Sequence, residues 1–127
     1  MNAYTTIEES KQLIEAGLDV NTHDMFYYRS DRREEYLISV GKHPAITNNL
    51  FSYRNEYVIP CWSLAALIDL IPEGTHWYLD ENGLTITEVD YYKDGKEVYV
   101  FRELYRNPVD AIIWLLEHNY IKSNKND

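Results

Sequence analysis

Apolar positions recur at helical spacing in three stretches of the chain, and the first of them is Thr6–Ala16. Thr6 and Glu9 fit a capping box, in which each side chain binds an otherwise unpaired amide of the first turn. Gly17 follows the last helical position and supplies the left-handed stop that many helices use. The pattern therefore predicts a short amphipathic helix over residues 6–16.

The other two helical stretches are richer in apolar residues. Ser63–Ile71 is apolar nearly all round, which is typical of a helix enclosed by protein. Ser63 is a suitable cap for this helix and Pro72 a suitable stop. The third helix begins at Asn107–Pro108, because a proline in the first turn has no amide to leave unpaired, and it ends near Asn119.

Between the second and third helices the apolar residues alternate with polar ones, which predicts a β-meander. Its strands are His76–Leu79, Thr85–Tyr92 and Glu97–Leu104, with a three-residue loop at Glu81–Gly83. Asp94–Gly95 is a typical two-residue hairpin turn, since both of its positions need a positive φ. This turn predicts the pairs Tyr92 with Glu97, Tyr91 with Val98 and Val89 with Val100.

Three further stretches with strand character lie before the second helix: MFYYR, YLISV and FSYRNEYVI, the last of them closed by Pro60. They could join the meander in one antiparallel sheet, and the pattern leaves the order of the strands open. The predicted fold class is α+β, with an antiparallel sheet of the meander and these N-terminal strands packed against three helices. The length of 127 residues fits a single domain over residues 1–127.

The charge balance narrows the classes of partner. Twenty-one acidic residues against twelve basic ones give a formal net charge of −9, which repels nucleic-acid phosphates and anionic lipids. We therefore expect no direct binding to nucleic acid and none to membranes. The N-terminus lacks the basic segment and apolar run of a signal peptide, and the single cysteine, Cys61, allows no intrachain disulfide. These features favour a cytoplasmic location.

Residue types that commonly carry catalysis are present, but the sequence does not combine them into a recognisable site. Cys61 precedes the second helix, whose N-terminus could stabilise a thiolate, yet no Cys–His spacing matches a known nucleophile and a buried structural cysteine is favoured. The four histidines are too scattered to show metal-ligand spacing, and no phosphate-binding glycine loop occurs. We therefore predict no catalytic residue, no metal and no cofactor, and an enzyme with an unrecognised site is the least favoured function.

The twelve tyrosines are an unusual number for a chain of this length. If Val89, Val98 and Val100 are directed to the core, the opposite face of the predicted hairpin carries acids and aromatic residues, which are Glu88, Asp90, Tyr92, Glu97, Tyr99 and Phe101. A helix or the N-terminal segment could cover this face. If it is open, its aromatic residues favour binding to a protein partner or to a second copy of the chain. Its carboxylates alternatively favour an acidic inhibitor that mimics nucleic acid.

Three segments, TTIEESKQLIEAGLDVNTHDM, IPCWSLAALIDLIP and NPVDAIIWLLEHNYI, together resemble small uncharacterised proteins of gut Bacteroides-type bacteria and of their prophages or mobile elements. The resemblance implies a bacterial cytosolic or phage-encoded origin. It implies no activity and no site residues, because no function is assigned to that group. The function that the sequence favours is therefore that of a small cytosolic interaction or accessory protein.

Overall fold

A computed structural model describes the chain at residues 3–47, 56–92 and 96–124, and it describes the side chains of these residues except at 90–101. The fold is α+β with antiparallel sheets, as predicted. Its helices are α1 (Ile7–Glu15), α2 (Pro44–Thr47), α3 (Leu64–Asp69) and α4 (Pro108–Glu117). Its strands are β1 (Met25–Tyr28), β2 (Leu37–Val40), β3 (Val58–Cys61), β4 (Thr75–Asp80), β5 (Gly83–Tyr92) and β6 (Lys96–Tyr105).

The three predicted helices are confirmed, and so are their caps. Thr6 Oγ1 accepts a hydrogen bond from the Glu9 amide at 3.1 Å, and Glu9 Oε1 accepts one from the Thr6 amide at 2.8 Å. Ser63 and Asn107 cap α3 and α4 through their side-chain oxygens. A 3₁₀ turn at Val20–Thr22 and the single-turn α2 were not predicted, because neither is long enough to show an apolar period.

The strands form two sheets rather than one. In the described part of the chain, the first sheet has the order β2-β1-β3 and the second has the order β4-β5-β6. Every neighbouring pair is antiparallel. The predicted meander is confirmed as the second sheet, whereas the N-terminal strands pair among themselves and do not extend it.

Pro60 does not close the third strand, which continues to Cys61. Arg29 donates its backbone amide to Tyr57 O at 3.0 Å, and residues in an antiparallel ladder alternate between hydrogen-bonded and non-hydrogen-bonded pairs. Pro60 lies opposite Phe26 and therefore occupies a non-hydrogen-bonded pair, so the amide that it lacks would face away from β1. An edge strand accepts proline in that position, and the predicted end of the strand was wrong for this reason.

The predicted register of the β5–β6 hairpin is wrong by one residue. The structure pairs Tyr92 with Lys96, Tyr91 with Glu97 and Val89 with Tyr99. Further along, Ile86 pairs with Glu103, which is the register that the predicted turn implies. Between these two parts β6 has one residue more than β5, a β-bulge at 101–102 opposite Thr87. The bulge shifts the register by one residue, and the predicted turn at Asp94–Gly95 lies outside the described residues.

The turn between β4 and β5 is also shorter than predicted. Asp80 pairs with Gly83, so the loop holds two residues, Glu81 and Asn82, and not three. Gly83 has a positive φ, +129°, and a Cβ at this position would lie 2.3 Å from Tyr105 O. Both the backbone angle and the neighbouring strand therefore require glycine here.

The buried core lies between the helices and the second sheet. Leu84, Ile86 and Val89 of β5 pack with α4, which also contacts α1, α3 and β6. Leu13 of α1 and Leu67 of α3 belong to the same cluster. The first sheet reaches the helices through β3, against which α1 packs. At the other edge of that sheet, β2 contributes no residue to the buried core.

Candidate interaction surface

Large apolar side chains are exposed on the first sheet and on the segment that leads into β3. Val40 and Leu37 of β2 are 80% and 51% exposed. Tyr28 of β1 and Tyr57, just before β3, are exposed as well. We call these four residues the open-edge surface. Grouped apolar side chains on a protein surface mark interaction sites, whereas scattered single ones need no explanation.

The pairing of the strands distributes these side chains over the two faces of the sheet. Tyr28 is the cross-strand partner of Leu37, and such partners lie on the same face of an antiparallel ladder. Tyr57 O accepts the backbone amide of Arg29, which aligns Tyr57 with the end of β1. Val40 lies at the opposite end of β2. Tyr28 and Leu37 therefore form an exposed pair on one face, whereas Val40 and Tyr57 lie at opposite ends of the other face.

Arg29 anchors the Tyr57 end of this surface. Its guanidinium carbon lies 5.1 Å from the ring centroid of Tyr57 and 5.4 Å from that of Tyr36. A contact of this kind contributes about 0.5–1 kcal/mol at an exposed site. The guanidinium also forms an ion pair with the Glu56 carboxylate at 3.1 Å and donates hydrogen bonds to the carbonyl oxygens of Glu56 and Arg33. The side chain is thus held by rings, by a carboxylate and by the backbone at once.

These contacts join three separate segments into one fixed arrangement. Tyr36 Oη donates to Glu56 O at 2.6 Å, which ties the start of β2 to the segment before β3. The hydrogen bonds of Arg29 tie the end of β1 to both. Tyrosine and arginine dominate the binding energy of many protein interfaces, and side chains that are already ordered lose less entropy on binding.

The charges around the open-edge surface are of both signs. Arg32, Arg33, Glu34 and Glu35 are all exposed in the loop between β1 and β2. The Glu56 side chain is 65% exposed while it holds the neighbouring guanidinium. A nucleic-acid site would instead concentrate unpaired basic residues on one face. In the described residues around the open-edge surface, neither sign of charge is concentrated on one side.

The predicted acidic and aromatic face is only partly within the described side chains. Glu88 is half-buried, and its carboxylate lies 3.2 Å from His76 Nε2. The side chains of the other five predicted residues lie outside the described part of the chain, and these residues are Asp90, Tyr92, Glu97, Tyr99 and Phe101. Whether these residues bind a partner stays a prediction.

The observed register nevertheless divides these six positions. Glu88 pairs with Val100, whereas Tyr99 pairs with Val89, which is buried. Because cross-strand partners share a face, the six positions do not lie on one face of the ladder. The bulge in β6 is the physical reason, since a shift of one residue exchanges the two faces of a strand.

A second exposed group lies on the second sheet. Tyr78 and Leu104 are exposed beside a groove of about 380 Å³, and Arg102 donates to Tyr78 Oη at 2.7 Å. Asp80 and Thr85 complete a lining that mixes polar and apolar side chains. Because it presents the same residue types at similar exposure, this group is a matched reference for the open-edge surface.

Cys61 lies in the interior of the protein. It is fully buried, and its Sγ lies 3.4 Å from Thr5 O. Burial raises the pKa of the Cys61 thiol, which favours the neutral form. The Tyr27 hydroxyl donates to Thr5 O at 2.6 Å, and burial raises the pKa of Tyr27 as well. This environment is that of a structural cysteine rather than of a thiolate stabilised by a helix N-terminus.

His23 is also fully buried. Its Nδ1 donates to Val20 O at 2.7 Å, and its Nε2 accepts the His43 amide at 3.1 Å. These two bonds require a neutral ring with its proton on Nδ1. Within the residues that the structure describes, no group of three or more His, Cys, Asp or Glu side chains could hold a metal ion. The bonds of His23 instead connect the 3₁₀ turn to the start of α2.

Comparison of the chain with protein-family models, with curated proteins and with solved structures finds no match. In the described ranges, no helix is both long enough and apolar enough to cross a membrane. The function of the open-edge surface is therefore argued from its own chemistry.

The sequence did not single out Tyr28, Leu37, Val40 and Tyr57, although it predicted the strands that carry or adjoin them. An apolar strand at the edge of a sheet shows the same alternation as one that is covered. The excess of tyrosine was the available signal, and the order of the strands was needed to show which tyrosines stay exposed.

Proposed function

We propose that the protein is a small interaction module that binds a protein partner through the open-edge surface. The observation that carries the proposal is the exposure of Tyr28 and Leu37 as a cross-strand pair on one face of the first sheet, with Val40 and Tyr57 exposed on its other face. Burial of apolar surface contributes about 25 cal/mol per Å². Small-molecule sites are concave, whereas this surface follows an open strand edge, so a protein is the partner that fits it.

The surrounding charges support a partner with an apolar centre and a basic rim. The net charge of −9 attracts a basic protein and repels an acidic one at long range. Exposed charges of this kind act mainly on the rate of association, whereas buried apolar anchors act on the lifetime of the complex. We therefore expect added salt to slow association and to leave the complex intact.

The alternative function, mimicry of nucleic acid, depends on other residues. It requires exposed carboxylates at Glu88, Asp90 and Glu97 and binding that weakens steeply with salt. Glu88 is half-buried and paired with His76, which gives this alternative less support. A cytoplasmic location and a bacterial or phage origin belong to the proposal as well, and they rest on the sequence.

The test is capture of partners from a bacterial lysate by the tagged chain and by two variants, Tyr28→Ala and Leu37→Ala. Both side chains are exposed, so the fold should be kept while a central contact of the interface is lost. Removal of such an anchor costs about 2 kcal/mol or more of binding free energy, or a loss of affinity of about thirtyfold. Tyr78→Ala and Leu104→Ala, on the second sheet, are the matched controls.

Salt separates the two functions in the same experiment. A partner that is kept at high salt and lost with the Tyr28 and Leu37 variants supports the proposal. The proposal is wrong if the partner is lost with the Tyr78 and Leu104 variants instead. Binding that moderate salt abolishes would favour mimicry.

A further inference from the structure

The outer edge of β2 carries backbone groups that no described residue pairs with. Gly41, immediately after β2, donates its amide to Asp24 O at 2.7 Å, which identifies the residues of β2 that bond to β1. Hydrogen-bonded positions alternate along an antiparallel strand, so Ser39 and Leu37 also form backbone hydrogen bonds to β1. Ile38 and Val40 therefore direct their N–H and C=O groups to the open side of the sheet.

The opposite edge of the first sheet is not equivalent to this one. Pro60 of β3 has no amide to offer on its outer side, as described above. Tyr4 forms an antiparallel bridge with Ser63, immediately beyond the end of β3. β2 is therefore the edge at which this sheet can accept another strand.

We propose that β2 pairs with β2 of a second copy of the chain, in an antiparallel arrangement around a two-fold axis. A two-fold axis perpendicular to the sheet leaves each face of the sheet on the same side in both copies. Because side chains alternate between the faces, the sequence numbers of paired residues must then differ by an even number. With Ile38 on the axis, the outward groups of both strands meet each other. This register places Ile38 opposite Ile38 and Tyr36 opposite Val40 of the second copy, and it brings the segment before β2 beside the segment that follows β2 of the second copy.

The charges at the ends of β2 favour a second copy over an unrelated strand. The segment EEYLISVGK has acidic residues before the strand and a basic residue after it. In an antiparallel copy, the end that carries Glu34 in each chain lies beside the end that carries Lys42 in the other, and these two ends have opposite charges. A parallel copy would place like charges together. Glu34 is exposed, and Lys42 reaches the surface while its Nζ donates to Asn21 O.

The exposure of Val40 fits the same arrangement. Val40 is 80% exposed in the single chain, and the proposed register places it opposite Tyr36 of the second copy. Pairs of aromatic and β-branched residues across strands are stabilising. The inference rests on the proposed function in one respect, since both place the binding surface at this edge of the sheet.

The test measures the mass of the full chain by sedimentation equilibrium over a range of concentrations. The parent chain should form a dimer whose fraction rises with concentration. Val40→Pro should make the chain monomeric, because it removes an outward amide and no bond to β1. Val40→Thr keeps both the amide and the branched shape, so it should still dimerise. A parent chain that is monomeric at every concentration, or a dimer that survives Val40→Pro, overturns the proposal.

Charge reversal tests the register itself. Glu34→Lys alone and Lys42→Glu alone each place two pairs of like charges across the interface, and each should weaken the dimer about tenfold. An equimolar mixture of the two variants should dimerise like the parent, because each altered residue then faces an opposite charge. A mixture that dimerises no better than its components shows that this register is wrong.

The outcomes separate this inference from the proposed function. If the chain is monomeric but Tyr28→Ala loses a captured partner, the self-pairing is wrong and the proposed function stands. If the chain dimerises as described but Tyr28→Ala and Leu37→Ala capture the same partner as the parent, the proposed function is wrong and the dimer stands.

Discussion

Thr5 illustrates how single polar residues are accommodated in the interior. The residue is fully buried, yet its hydroxyl lies 2.7 Å from Ser10 Oγ and accepts the Trp62 amide at 3.1 Å. A buried polar group without such partners would cost about 1–3 kcal/mol. His23 follows the same rule with its two ring nitrogens, and it can lose one of its hydrogen bonds by taking up a proton.

Protonation of His23 should destabilise the fold. Burial lowers the pKa of His23, and nearby Lys42 and His43 act in the same direction, while the hydrogen bond to Val20 O and the Asp24 carboxylate act against it. The unfolded chain titrates near the ordinary value of about 6.5, so it binds a proton at pH values at which the folded ring does not. The free energy of unfolding is therefore highest above that pH, and it falls below it by at most about 1.4 kcal/mol per pH unit.

Denaturant unfolding between about pH 7 and pH 5 measures this dependence. His23→Gln keeps an acceptor for the His43 amide, so the variant should fold and show a flatter dependence on pH. His118→Gln changes an exposed ring and should leave the dependence of the parent in place. If His23→Gln kept the full dependence, groups other than His23 would be its source.

At the scale of secondary-structure elements, α1 and α4 share a capping residue. One carboxylate oxygen of Glu9 accepts the Thr6 amide at the start of α1, and the other accepts the side-chain amide of Asn107. The Asn107 Oδ1 in turn accepts the Val109 amide and caps α4. A single side chain therefore fixes the starts of two helices relative to each other.

Glu9→Ala should lower the free energy of unfolding by about 1–3 kcal/mol, because it removes a cap partner and a half-buried hydrogen bond. Glu8→Ala is the matched control, since it removes the same charge from the same turn at an exposed position. The control should change the free energy by less than about 0.5 kcal/mol. A cycle with Asn107→Ala should give a coupling of at least about 0.5 kcal/mol, and simple additivity would contradict a shared cap.

At the scale of the whole molecule, α1 connects the two sheets. It packs against β3 of the first sheet and against α4, which covers β5 and β6 of the second. Cys61 is in β3 and is fully buried, and Leu13 of α1 belongs to the main core. Separation of either sheet from the helices must therefore disturb α1, and it would expose Cys61 on the side of the first sheet.

Labelling of Cys61 with a thiol reagent should follow the opening of the fold. The native thiol is buried and its pKa is raised, so it reacts only in opened molecules, which are about 10⁻³–10⁻⁶ of a stable domain. Labelling should therefore be slower than in denaturant by about the same factor. The labelling rate gives the free energy of the opening that exposes Cys61. If it equals the free energy of global unfolding, Cys61 is exposed only when both sheets open together. Rapid and complete labelling in native buffer would contradict the burial of Cys61.

Features that depend on residues close together in the sequence were predictable from it. Pairing between strands that are far apart in the sequence was less predictable. The caps at Thr6, Ser63 and Asn107 depend on residues within three positions and were correct. A bulge leaves the alternation of apolar residues almost unchanged, so the extra residue of β6 gave no signal. The candidate surface depends on which strand lies at the edge, and the sequence left the strand order open.

Pro60 has a consequence for how far the first sheet can grow. A sheet that can accept further strands at both of its edges can grow into a fibre, because each added chain offers a new edge for pairing. In this sheet the β3 side lacks an amide at Pro60, and its end is already occupied by Tyr4. Pairing through β2 then uses the extendable side of both copies. In the proposed pairing, association through this sheet would therefore close at two chains, and the exposed apolar edge would not lead to polymerisation.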